Sequence, residues 1–467
     1  MKRAVYIFIF LLAISTTSMA KKDKYNIRIT IENATDSMLM MGYYRAEHTY
    51  VCDTAYRNKK NQFIFCNSKK GLDPGFYFFC NQKGKFVEFI IYNEEPFFTF
   101  ETSEENWTTN MIVKGSKQNE ILFNYHRLNS KIYEETMSKQ YEMDSASFIA
   151  YLKEQRQVVK NIDNQFIVEN PNHLLAKMML IERGVETPFV NSTGDSLSQH
   201  ERFEYFMAHY FDYLDLSDGA FFRTPKNIFY NHIVDYLDKY LKGAPPSVMI
   251  PYIDTMIERA RPVDETFQWL VHFVTEKYLQ SQIMGYDAIY VHLVQRYYAT
   301  GEARLHSPSV VDEQVIRAEK WEKLLLGKVA PELIIPDTNG EFHSLHRQPH
   351  KYTLLVFWSP SCGHCKTMVP ELYEKYVQYK DLYDIGAYAI LSEPDENTRP
   401  LWRKFIHDHH LDWLNLDGGV ANIDWHEVYD VVTTPQIYLL DKDKKILAKH
   451  LNARIFEEII KFQESGE

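Results

Sequence analysis

The chain has 467 residues, with 52 Lys and Arg against 63 Asp and Glu, a formal net charge of −11, and 45% hydrophobic residues. This acidic balance argues against a nucleic-acid partner, and an ordinary apolar content with 15% aromatics is enough to build packed cores. The length suggests about three domains at ~150 residues each, and five cysteines in so long a chain are not a disulfide scaffold.

Residues 1–20 read as a targeting segment. Lys2-Arg3 give a basic start, Ala4 to Ile14 an apolar stretch too short to span a bilayer, and Ser18-Met19-Ala20 small residues at cleavage spacing. The mature chain is expected to begin near Lys21, with no cysteine there to carry a lipid. No later apolar run reaches spanning length. The sequence therefore predicts an exported protein of the periplasm or cell envelope, without stable membrane insertion after cleavage, whose thiols work outside the cytosol.

Residues 21–116 are expected to form an antiparallel β-sandwich-like domain. Tyr25 to Ile31, Gln62 to Phe65 and Lys85 to Ile90 alternate with period two, and turn residues such as Asn58-Lys59-Lys60-Asn61 and Asp73-Pro74-Gly75 fall between them. Cys52, Cys66 and Cys80 lie in this module. A hairpin turning at Lys59-Lys60 would set Cys52 nearly opposite Cys66, at a spacing that permits a disulfide; small buried hydrophobes are the simpler reading.

At residue 117 the alternation stops, and residues 117–325 are expected to be an all-α domain of eight to ten helices. Apolar residues recur at three and four: Ile121, Leu122, Tyr125, Leu128 and Ile132, then Phe267, Leu270, Val271, Val274 and Tyr278. Breakers at Asn170-Pro171, Thr224-Pro225, Gly243 to Pro246 and Ser307-Pro308 separate the helices.

Residues 326–467 alternate strands and helices, which predicts a mixed sheet covered on both faces. A hairpin is expected around Asp337 to Gly340, strands at Tyr352 to Trp358, Ile385 to Leu391, Gln436 to Leu440 and Lys445 to Lys449, and helices at Thr367 to Tyr379, Thr398 to His409 and Arg454 to Gln463. The stretch that organises the chain is Ser359-Pro360-Ser361-Cys362-Gly363-His364-Cys365-Lys366. It places Cys-x-x-Cys where a strand turns into a helix. Free N–H groups and partial positive charge at a helix start favour a thiolate at Cys362, while Cys365, one turn on, stays covered and can attack a mixed disulfide. A zinc half-site would need a second Cys/His pair, and none is clear; Lys366 excludes the haem-attachment pattern. His407-Asp408-His409-His410 lies at a helix end and is not read as a metal site.

These residues resemble the thioredoxin superfamily. Phe357-Trp358, Cys362-Gly363-His364-Cys365-Lys366 and Pro370 match its active-site strand and helix, and Thr433-Thr434-Pro435 matches its cis-proline loop. The long separation between dithiol and proline is similar to that of TlpA/ResA-type envelope oxidoreductases. Val51 to Thr54, Pro74 to Tyr77 and Ile112 to Asn119 resemble the β domain that precedes many exported thioredoxin-like proteins, and Phe221 to Pro225 with Ser281 to Ala288 resembles their helical middle domain, both of unknown function. The expected architecture is thus multi-domain α+β, ending in a thioredoxin-like α/β domain.

The resemblance implies a thiol–disulfide oxidoreductase that needs no cofactor or metal. Cys362 would be the nucleophile, Cys365 the resolving thiol, and Thr434-Pro435 the peptide that pairs with substrate. Gly363 would permit the tight turn into the helix, His364 would stabilise the thiolate, and Trp358 would complete the site. Two family acids are missing, since Val356 and Met368 occupy their positions. The implied partners are disulfide-containing envelope proteins and a membrane electron donor. A reductase leads. An oxidase or isomerase, suggested by Gly-His between the cysteines, and a partner-binding module with secondary redox activity are the alternatives. A peroxidase is discounted because Leu355 stands where that family places proline. Residues 21–325 are expected to select the substrate by binding it away from the dithiol.

Overall fold

The computed structural model describes residues 23–94 and 96–465, so the expected targeting segment lies outside the described residues. The chain falls into two compact units that divide between Tyr240 and Leu241, inside the helical stretch.

The first unit opens with eight strands: β1 (Tyr25–Glu32), β2 (Met38–Arg45), β3 (His48–Tyr56), β4 (Gln62–Asn67), β5 (Gly75–Cys80), β6 (Phe86–Ile91), β7 (Phe97–Ser103) and β8 (Ile112–Lys114). They make two four-stranded sheets, ordered β4-β1-β7-β8 and β3-β2-β5-β6. Each pairing is antiparallel except that of β1 with β7, which is parallel. Period-two alternation turns Tyr25, Ile27, Ile29 and Ile31 of β1 inward. Aromatic rings knit the layers together: Phe79 stacks on Phe65 at 5.3 Å and on Phe89 at 4.3 Å, and Phe89 meets Phe100 edge-on at 5.6 Å. Such pairs contribute ~0.5–1.5 kcal/mol each beyond their area burial.

The expected Cys52–Cys66 hairpin does not form. A turn is present at Asn58–Asn61, where Asn58 Oδ1 accepts the N–H groups of Lys60 (2.8 Å) and Gln62 (3.1 Å). It carries the chain from one layer to the other, because β3 pairs with β2 while β4 pairs with β1. Paired with β1, β4 turns Phe63 and Phe65 into the interior, where Phe65 stacks on Phe79 of β5. Cys66 therefore sits opposite Asn26, and Cys52 Sγ–H points to Met41 O at 3.4 Å. Cys52, Cys66 and Cys80 are free thiols, two of them exposed rather than small core hydrophobes.

Helices α1 (Lys117–Ser138), α2 (Ser145–Glu169), α3 (Leu174–Arg183), α4 (Gln199–His209), α5 (Gly219–Phe222) and α6 (Tyr230–Asp235) complete this unit. Ser116 caps α1 by accepting the Asn119 N–H at 3.1 Å. Buried Asn119 then acts as a false strand residue: its Oδ1 accepts the Ile90 N–H and its Nδ2 donates to Ile90 O, both at 2.7 Å. The open edge of β6 is satisfied there by a side chain.

The second unit begins with α7 (Pro246–Arg259), α8 (Asp264–Leu279), α9 (Asp287–Leu293) and α10 (Pro308–Glu322). The predicted breakers stand at helix ends, as Pro246 and Pro308 show. A sheet domain follows, with the hairpin β9 (Ile334–Pro336) and β10 (Phe342–Ser344), then β11 (Tyr352–Trp358), α11 (Gly363–Tyr383), β12 (Ile385–Leu391), α12 (Thr398–Asp408), β13 (Leu414–Asp417), α13 (Trp425–Val428), β14 (Gln436–Leu440), β15 (Ile446–Lys449) and α14 (Ala453–Ser465). The five-stranded sheet runs β13-β12-β11-β14-β15, with β11, β12 and β13 parallel and β14 and β15 antiparallel additions. β11 and β12 are buried at each residue, which is why both read as continuous apolar runs. One face packs Leu354, Val356 and Trp358 with residues of α11 and α14; the other packs Leu355 and Phe357 with Trp425 and Tyr429. This is a thioredoxin-like α/β domain.

Candidate active site

Central strand β11 delivers Trp358 and Ser359 to the carboxyl edge of the sheet, and the chain turns there into α11. Cys362 is the N-cap of α11, with φ −72° and ψ 123°, and its sulfur accepts the Cys365 N–H at 3.3 Å. Its thiol donates to Thr434 O at 3.2 Å. The structure thus brings together the dithiol and the Thr434-Pro435 loop, 72 residues apart in sequence at that contact. The Thr434-Pro435 peptide is cis.

The two thiols differ in character. Burial alone pushes the Cys362 thiol up, but hydrogen bonds from Cys365, the Thr434 side chain and the backbone N–H of His364 outweigh it, so its pKa lies below the ordinary cysteine value. Burial pushes the Cys365 thiol up to about 12, and its hydrogen bond to Cys362 adds to the rise. One sulfur is half-buried and activated as a nucleophile; the other is covered and held protonated.

The remaining expected site residues divide. Trp358 is fully buried and meets Phe405 at 5.2 Å, so it forms the floor of the site. His364 is exposed, and what it supplies to Cys362 is its backbone N–H rather than its imidazole. The expected need for glycine at 363 is corrected by the backbone: Gly363 is the first helical residue, and a Cβ there would meet nothing within 4 Å. His407 to His410 end α12 in solvent, where Lys404 and His407 pair with Asp408. Among the described residues, Asp337, Glu341 and His343 at the β9–β10 tip bring three potential ligand atoms within 4.8 Å of one another. Asp337 is already engaged there, accepting the N–H groups of Asn339 (2.8 Å) and Glu341 (3.0 Å).

Sequence reasoning missed Glu393. It lies just past the carboxyl end of β12, where α/β sheets gather their functional groups. Its Oε2 accepts from Ser359 Oγ at 2.8 Å and Ser361 Oγ at 2.6 Å. Those two donors hold its carboxyl below the usual range. With Val356 sealed in the core and Met368 packed against it, Glu393 is a carboxylate hydrogen-bonded to the residue beside Cys362. The Ser-Pro-Ser spacing before Cys362 was the available signal.

Residues 326–449 match the AhpC/TSA family model. Residues 25–122 and 194–326 match two domains of unknown function, DUF4369 and DUF5106. A thiol-disulfide oxidoreductase ResA from Bacillus thuringiensis subsp. konkukian is 30% identical over 129 residues, spanning 27% of this chain and 70% of the relative. The chain belongs to the ResA-like thiol–disulfide oxidoreductases. A ResA from Bacillus cereus is 29% identical over 139 residues, covering 30% of this chain and 76% of its own length. Among solved structures, a thioredoxin-like protein from Bacteroides caccae aligns with 59% of this chain and 98% of its own at 21% identity and a TM-score of 0.47. The thioredoxin domain of a thiol-disulfide oxidoreductase from Bacteroides vulgatus aligns with 29% and 97% at 28% identity and a TM-score of 0.26. As in its relatives' names, the activity of this oxidoreductase is thiol–disulfide exchange.

Proposed function

We propose that this oxidoreductase reduces disulfides of cell-envelope proteins through Cys362 and Cys365. The observation that carries this reading is the unequal pair at the start of α11: an accessible Cys362 with a lowered pKa, one turn from a covered Cys365 with a raised one. Cys362 thiolate attacks a substrate disulfide, forming a mixed disulfide and expelling one substrate thiolate, which takes up a proton. Cys365 then gives up its proton and attacks the Cys362 sulfur. The Cys362–Cys365 disulfide forms, the second substrate thiolate leaves, and two electrons have passed to the substrate. A dithiol electron donor on the membrane side returns the pair to its reduced form. Thr434-Pro435 flanks the attacked sulfur and supplies backbone for the substrate to pair with.

The groups that hold the Cys362 thiolate are neutral donors. The reduced form is stabilised less than by a cation, which favours the reducing direction. Residues 1–20 direct export, and among the described residues no helix is long and apolar enough to cross a membrane. The deciding measurement is the reduction potential of the pair against glutathione. A value near the thioredoxin value of about −270 mV supports a reductase; one near about −180 mV overturns it in favour of an isomerase or oxidase. Cys362→Ser is expected to abolish exchange. Fractionation of the native host, with the mature terminus near Lys21, tests the location.

A further inference from the structure

Cys365 must lose its proton before it can attack the mixed disulfide, yet burial pushes its thiol up to about 12. Two groups work against that burial: the Ser359 backbone N–H and the Thr434 side chain both hydrogen-bond the Cys365 sulfur and favour its thiolate. Ser359 is fully buried just past the end of β11 and is engaged in three directions. Its carbonyl accepts the Cys362 N–H at 3.2 Å, its N–H faces the Cys365 sulfur, and its Oγ donates to Glu393 Oε2 at 2.8 Å.

The hydroxyl connection is reinforced. Ser361 Oγ donates to the same Glu393 oxygen at 2.6 Å and lies 2.6 Å from Ser359 Oγ. The Ser361 N–H donates to Ser359 Oγ at 3.3 Å. Pro360 between the two serines has no N–H, so this turn has one backbone donor fewer with which to hold itself. Glu393 comes from the sheet: β12 pairs with β11 along its length, and the Ser392 N–H donates to Trp358 O at 2.9 Å. The carboxylate is thus fixed to the sheet, and the turn that carries the chain into the dithiol is fixed to the carboxylate.

We propose that Glu393 is a positioning residue for the resolving step: through Ser359 and Ser361 it holds the Ser359 N–H on the sulfur of Cys365. In that step Cys365 loses its proton to water and its sulfur bonds to that of Cys362. The substrate sulfur leaves with the electron pair of the broken bond. Without the anchor the turn can tilt its N–H away, the Cys365 thiolate loses a support, and the mixed disulfide persists. The first attack does not depend on this anchor, because the Cys362 sulfur is held by Cys365, His364 and Thr434. Nor is Glu393 a proton carrier. The two serine hydroxyls hold its carboxyl below the usual range, which makes it a poor acceptor. The inference rests on the exchange reaction proposed above.

The test follows single turnovers of the full mature protein with a disulfide-bonded peptide, quenched in acid and read by intact mass as reduced enzyme, mixed disulfide and oxidised enzyme. Glu393 is exposed, so its truncation does not threaten the fold. Glu393→Ala and Ser359→Ala are each expected to form the mixed disulfide at the wild-type rate and to resolve it about tenfold more slowly, as loss of part of a hydrogen bond to a charged sulfur requires. Glu393→Gln keeps an acceptor oxygen for the serines and is expected to resolve it within about twofold of wild type. Combining Glu393→Ala with Ser359→Ala should be no slower than either alone, since both cut the same connection. Unaltered resolution in the alanine variants, equal slowing of both steps, additive losses in the double variant, or Glu393→Gln as slow as Glu393→Ala overturns the proposal. Cys365→Ser should trap the peptide on Cys362. If no mixed disulfide forms in that variant, the exchange reaction itself falls, so the two failures are distinguishable.

Discussion

Lys449→Met is the most direct probe of how the helical part is fastened to the catalytic sheet. The Lys449 side chain is 7% exposed and that of Asp287 15%. Methionine keeps most of the apolar stem but removes the charge, stranding the Asp287 carboxylate and the Leu324 carbonyl. Removing one partner of a buried ion pair costs about 3–5 kcal/mol; because Asp287 keeps some contact with water, the lower end, about 3 kcal/mol, is expected. Six of the seven tryptophans lie in the second unit, so fluorescence-detected urea unfolding reports on it. At a slope of about 3 kcal/mol/M the midpoint should fall by about 1 M. Replacing both residues, Lys449→Met with Asp287→Leu, removes the stranded charge and should recover most of the loss. A midpoint within about 0.2 M of wild type, or a double variant as unstable as the sum of the single ones, would refute the reasoning.

Three further outcomes are expected. Alkylation of Cys362 by iodoacetamide requires the thiolate, so its rate should reach half its plateau at a pH below the ~8.5 of free cysteine; an inflection at or above that value contradicts the hydrogen-bond pattern at α11. His364→Pro removes a backbone N–H that favours the charged sulfur and should move that inflection upward, whereas His364→Ala should leave it in place, and equal shifts in both would return the role to the imidazole. Asn119→Ala leaves both the N–H and the carbonyl of Ile90 unpaired in the core, which should destabilise the first unit by about 3 kcal/mol and speed amide exchange at Ile90; a change under about 0.5 kcal/mol would show that the false strand residue matters little.

What the sequence determined by itself was local. Period-two runs placed β1 and β6, unbroken apolar runs placed β11 and β12, and Cys-x-x-Cys at a strand-to-helix turn placed the chemistry, because each signal is written in adjacent residues. Only the tertiary structure decided which strands pair. Asn58 to Asn61 reads as a hairpin turn, yet it joins two sheets, since the choice depends on where Phe63 and Phe65 find their partners. The same holds at the site. His364 was noticed for its imidazole but acts through its peptide N–H, which each residue of a helix start possesses. Glu393 carries no motif at all; it matters because the fold returns it to the end of β11, and no spacing along the chain records that return.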